Sequence, residues 1–247
     1  RPEADGTYNK NTKYGMIGVI IHEVGHNFFP MIVNSDERQW TWMDEGLNTF
    51  VQYLTEQEWE ENYPSRRGPA YKIADYMRSE KQDMVPIMTN SESILQFGNN
   101  AYGKPATALN ILRETVMGRE LFDYSFKTYC QRWMFKHPTP ADFFRTMEEV
   151  SGVDLDWFWR GWFYSTDHVD ISLDRVIEGT FNTENPEIEN ARERAEDDAD
   201  PESLTQAGNR EAGIAYYEER NPEVVDFYSR NDEHTVTNRE REAYDSF

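Results

Sequence analysis

Cysteine is almost absent from this chain. Cys130 stands alone, so no internal disulfide can form and no cysteine-built metal site is available. Histidine is scarce too, five in 247 residues. Positive charge falls well short of negative, 25 Lys and Arg against 46 Asp and Glu, which leaves a formal charge of −21. Such a surface repels nucleic acid and anionic membrane, which argues against both as partners. No apolar run approaches bilayer length and no signal peptide begins at Arg1, so no transmembrane segment is expected. Internal repeats are also lacking. What remains is enough apolar and aromatic material for one sizeable core, at a length that suits one to two domains.

Two of the five histidines fall in a single motif. Within Gly15 to Phe29, His22, Glu23 and His26 stand in the order H-E-x-x-H. On a helix, residues four apart point the same way, so the two imidazoles can share a metal with the Glu leaning beside them. Ile17, Ile20, Ile21, Val24 and Phe28 trace one apolar face beside the pair, which supports a helix independently of the motif. Gly25 costs helix stability and points to a neighbouring element that comes close.

A catalytic zinc usually takes three protein ligands and keeps a fourth position for water. The third is sought in a second predicted helix opening at Thr41, with Leu47, Phe50, Val51 and Leu54 as its apolar stripe. Thr41 and Asp44 have capping-box spacing, so Asp44 is expected to cap the helix start, with a supporting role beside the metal as the alternative. Glu45 would project from the first turns, where its carboxylate could meet a His pair on an antiparallel neighbour.

This combination resembles the gluzincin peptidases related to aminopeptidase N. There the third ligand is the Glu of an N-E-G segment placed eighteen residues beyond the second His. The same eighteen residues separate His26 from Glu45 in Asp44-Glu45-Gly46. Ala101-Tyr102-Gly103-Lys104-Pro105-Ala106 is similar to a further family segment, and Asp142 to Trp162 to the helical end of the catalytic domain. There are departures. Asn27-Phe28-Phe29-Pro30 stands where a Trp-Phe-Gly run is common, Asp44 where Asn is usual, and no G-x-M-E-N segment precedes the motif. The chain therefore reads as part of a longer protein.

The resemblance implies a mainly α fold, the helical part of a thermolysin-like catalytic domain over residues 1–168. A short β segment near 169–176 would open a following module over 169–181, marked by the period-two alternation of Val169, Ile171 and Leu173. Residues 182–213 are acidic and poor in large apolar side chains, and read as a mobile linker. Residues 214–247 carry marginal helices.

For chemistry, His22, His26 and Glu45 are the expected ligands of one zinc ion. A water on such an ion can have its pKa brought from about 15.7 to near 7. Glu23 is then the general base that takes the proton as water attacks a peptide carbonyl and returns it to the leaving amine. The resemblance assigns Tyr102 the stabilisation of the tetrahedral intermediate. It implies peptide or protein substrates, aminopeptidase activity, and an exported bacterial enzyme. The alternatives are a non-catalytic peptidase-like scaffold, or a piece that binds zinc without turnover.

Overall fold

The computed structural model describes residues 8–168 and 182–246. Its elements are helical, and no strand occurs among the described residues, so the mainly α expectation holds. The β segment expected near 169–176 lies outside the described residues. Among those described, no helix is long and apolar enough to cross a membrane.

Helix α1 spans Lys10–Gly25 and begins where the Asn9 side chain accepts the Thr12 N–H at 2.8 Å. The start is set by Asn9, whose side-chain oxygen satisfies one of the first N–H groups of the helix. It stops at Gly25, short of Phe29. Pro30 has no N–H to give to His26 O, and the chain closes instead through Met31 N to that oxygen at 3.2 Å.

The apolar face of α1 is not the one that packs. Ile20 and Val24 are 54% and 64% exposed, and Met16, Val19 and Phe28 are exposed with them, whereas Tyr14 and Gly18 are buried. The inward face is set by α2, Leu47–Trp59, which lies against α1 through small and polar residues. A Cβ on Gly25 would sit 1.9 Å from Asn48 Oδ1, and one on Gly18 would sit 3.0 Å from Glu56 Oε1. The glycines permit that approach.

A widened helical turn, Trp42–Gly46, runs directly into α2. Trp42, Leu47 and Phe50 are fully buried, and Val51 and Leu54 pack on the same core. Helices α3 (Lys104–Ile111), α4 (Arg119–Trp133), α5 (Pro140–Ser151) and α6 (Asp156–Phe163) complete it. Phe143 sits at the centre, its ring 4.8 Å from that of Tyr129 and 5.8 Å from that of Trp42. Each such ring withdrawn from water contributes roughly 1.5–3 kcal/mol. Helix α5 shows its limits in sequence: Thr139 and Asp142 form a capping box, Pro140 opens the first turn, and Gly152 ends it at φ 70°.

The stretch read as a linker, 182–213, carries two helices, α7 (Pro186–Ala199) and α8 (Leu204–Glu211). The second belongs to the same compact unit as residues 8–168. Its attachment is polar. Arg119 donates to Asn209 Oδ1 at 2.7 Å and to Thr205 O at 2.6 Å, and Thr205 Oγ1 reaches Asn110 Oδ1 at 3.1 Å. Such a docking leaves no apolar stripe in the sequence. Residues 182–203 and 221–246 form a second unit, in which α7 and α9 (Asn238–Asp245) are joined by Arg241 and Glu187 at 2.7 Å.

Lys104 is only 1% exposed, and its Nζ donates to Ser165 O at 3.4 Å. Burial pushes its ammonium down from 10.5 to about 8. Below pH 8 the group is charged folded or unfolded, and the cost of burial is fully felt. As pH rises from 8 to 10.5 the folded state sheds the proton first, so stability rises with pH. Lys104→Met is expected to add about 2–3 kcal/mol at pH 7 and to abolish that rise, as read by urea unfolding across the range.

Candidate metal centre

His22 and His26 leave the same face of α1, their ring centroids 4.6 Å apart. Glu45 arrives from the widened turn. Its Oε2 lies 3.0 Å from His22 Nε2 and 3.4 Å from His26 Nε2, so three ligand atoms converge on one point. The outer nitrogens are already engaged. His22 Nδ1 lies 2.9 Å from Gln52 Oε1, and His26 Nδ1 lies 2.8 Å from Phe29 O. Both acceptors require the hydrogen on Nδ1, so in its neutral form each imidazole turns the lone pair of Nε2 to the common point. The set of two imidazoles and one carboxylate fits a divalent metal with a position left open.

The electrostatics favour positive charge there. Burial works against ionisation of both partners, yet hydrogen bonds from His22 and Tyr102, with the imidazoles nearby, hold Glu45 below its usual range. Burial likewise lowers His22, and its bonds to Glu45 and Gln52 outweigh that and raise it.

Asp44 does not cap a helix. Thr41 already has helical backbone angles, and its hydroxyl donates to Glu37 O at 3.1 Å, so the helix does not start at that residue. Asp44 is buried instead, its Oδ1 3.0 Å from His26 Nδ1. Burial, with the neighbouring Glu45 charge, pushes its carboxyl up to about 7. The supporting position beside His26 is the one that the geometry favours.

Tyr102 comes from the turn Gly98–Gly103, its ring stacked on that of His22 at 5.8 Å. Burial first, and then its hydrogen bond to Glu45, raise the phenol above its ordinary pKa and keep it protonated. Glu23 is exposed on α1 and lines the cleft beside the triad. That cleft encloses about 530 Å³ and is also lined by Gln52, Glu56, Tyr63, Arg66 and Arg67.

Gln52 and Glu56 were not legible as site residues from the motif, although helical spacing places both on Glu45's side of α2. Gln52 is seven residues on, and Glu56 eleven. Gln52 Nε2 donates to Glu56 Oε1 at 2.7 Å and to Gly18 O at 3.2 Å, which orients the amide so that its oxygen meets His22. Glu56 is buried, and burial raises its carboxyl above the usual range against the bonds from Ser65 and Gln52. Asn48 Nδ2 donates to His22 O at 2.8 Å and so ties α1 to α2 at His22 itself.

An H-E-x-x-H helix, a carboxylate from the widened turn and a half-buried tyrosine thus line one cleft on an α-helical frame. Residues 4–162 match the Peptidase family M1 domain, and the chain belongs to that family. It is 26% identical over 160 residues to glutamyl aminopeptidase of Bos taurus, covering 62% of this chain and 16% of that protein. Glutamyl aminopeptidase of Bitis rhinoceros is 29% identical over 150 residues, covering 58% and 15%. Probable aminopeptidase 1 of Sulfurisphaera tokodaii is 26% identical over 168 residues, covering 64% and 21%. The chain thus spans about a fifth or less of the length of these relatives.

If Gln52 sets the His22 tautomer, Gln52→Leu is expected to weaken divalent-metal binding by about 10–100-fold, as measured by chelator competition. Gln52→Glu, which keeps an acceptor, is expected to retain most of it.

Proposed function

We propose that this chain carries the zinc centre of an aminopeptidase and hydrolyses peptide bonds at it. The observation that carries the proposal is the convergence of His22 Nε2, His26 Nε2 and Glu45 Oε2, with both Nδ1 atoms tied to outer acceptors. Family membership and the names of its aminopeptidase relatives support the reaction class. Zinc bound by these three residues would supply a Lewis acid and lower the pKa of water from about 15.7 to near 7.

The remaining work falls to side chains. Glu23, one residue from a ligand and open to the cleft, takes the proton of the attacking water and passes it to the departing amine. Tyr102, held protonated and hydrogen-bonded to Glu45, stands beside the triad as the donor to the carbonyl oxygen as charge builds there. Asp44 and Gln52 keep the two imidazoles aimed.

Elemental analysis is expected to find one zinc per chain, largely lost in Glu45→Ala. Glu23→Gln is expected to keep its zinc while hydrolysis of an amino-terminal amide bond falls by at least about 100-fold. Full zinc in Glu45→Ala, or unimpaired turnover in Glu23→Gln, would overturn the assignment. Tyr102→Phe is expected to lower kcat by about 100–1000-fold with KM little changed, because its bond is spent on the transition state.

A further inference from the structure

Arginine is the side chain least able to tolerate burial without an anion, since it stays charged wherever it is placed. Four described arginines are withdrawn from full exposure: Arg67, Arg113, Arg119 and Arg192. Arg113, Arg119 and Arg192 each donate to a carboxylate at 2.7–2.8 Å. Arg67 has neither a hydrogen bond nor an ion pair with any described residue, in a chain holding 46 acidic residues against 25 basic ones. Its guanidinium lies 4.5 Å from the centre of the Tyr102 ring, and it lines the same cleft as His22, Glu45 and Tyr102.

The loop that presents it is fastened at several points. Ser65 Oγ donates to Glu56 Oε2 at 2.5 Å and accepts from Gln57 Nε2 at 3.0 Å, and Tyr63 OH donates to Tyr14 O at 2.9 Å. Gly68 follows at φ 117°, with its backbone so close to Tyr53 that a Cβ would meet the ring at 2.3 Å. Arg67 is therefore held in place before any ligand arrives, which lowers the ordering cost of binding. Its fork of donors is matched to a carboxylate.

We propose that Arg67, with Arg66 beside it on the cleft wall, is a subsite for a carboxylate of the bound peptide. The proposal rests on the cleft being the place where peptide binds. Two sources carry the same chemistry: an acidic side chain near the amino terminus, or the terminal carboxylate of a short peptide.

The test is calorimetric titration of the zinc-loaded protein with three short peptides of equal length and free amino termini. One carries Glu with an amidated end, one carries Gln with an amidated end, and one carries Gln with a free terminal carboxylate. At least one carboxylate peptide is expected to bind about tenfold more tightly than the neutral one, and whichever does identifies the source. Arg67→Met is expected to bring the preference to within about twofold, and Arg67→Lys to keep part of it, with zinc content unchanged in both. A merely structural role, through packing on Tyr102, would weaken all three peptides alike and overturn the proposal, as would a preference that survives Arg67→Met. Turnover followed in parallel separates the two ideas. Hydrolysis without carboxylate preference sinks the subsite and leaves the peptidase standing, while preference without hydrolysis upholds the subsite and counts against the peptidase.

Discussion

The structure depends on how closely α1 and α2 approach one another. The three ligand atoms can meet only if the helix bearing His22 and His26 lies almost backbone to side chain against the helix that follows Glu45. Gly18 and Gly25 make room for Glu56 and Asn48, and Asn48 then bonds the main chain at His22 itself. Glycine inside a helix costs roughly 0.5–1 kcal/mol relative to alanine. The cost is offset by a seam of polar side chains that positions the ligands from behind.

That seam has a consistent electrical logic. Ser65, Glu56, Gln52 and His22 form one hydrogen-bonded line, and Phe29 O with Asp44 closes the other side at His26. Each member leaves its neighbour a single sensible orientation, and the line ends with two lone pairs and a carboxylate pointed at one spot. Tyr102 sits between this centre and Arg67, with its ring against both His22 and the guanidinium. The cleft thus grades from a site suited to a cation to a wall suited to an anion.

How much of this was legible in sequence differs by element. That His22, His26 and Glu45 would come together was legible because four-residue spacing on a helix, and an eighteen-residue interval shared with a similar family, can be read along the chain, and Thr139, Pro140 and Gly152 announced α5 in its own residues. The packed side of α1 was not. Periodicity tells which residues share a face but not which face a neighbour covers, and here the covered side is the polar one that carries the histidines, while Ile20 and Val24 lie open. Helix α8 escaped because Thr205 and Asn209 anchor it without an apolar stripe. Asp44 was misassigned because capping-box spacing at Thr41 carries no sign that the chain is already helical there. Arg67 lies in a loop, where no periodicity exists to connect it with Tyr102.

The most direct test of the account is X-ray absorption at the zinc edge of the zinc-loaded protein. The expected spectrum is four-coordinate, with two imidazole nitrogens at about 2.0–2.1 Å and two oxygens, one from Glu45 and one from water. A shell with fewer than two imidazoles, or one filled mainly by oxygens at octahedral distances, would contradict the convergence on which the account is built.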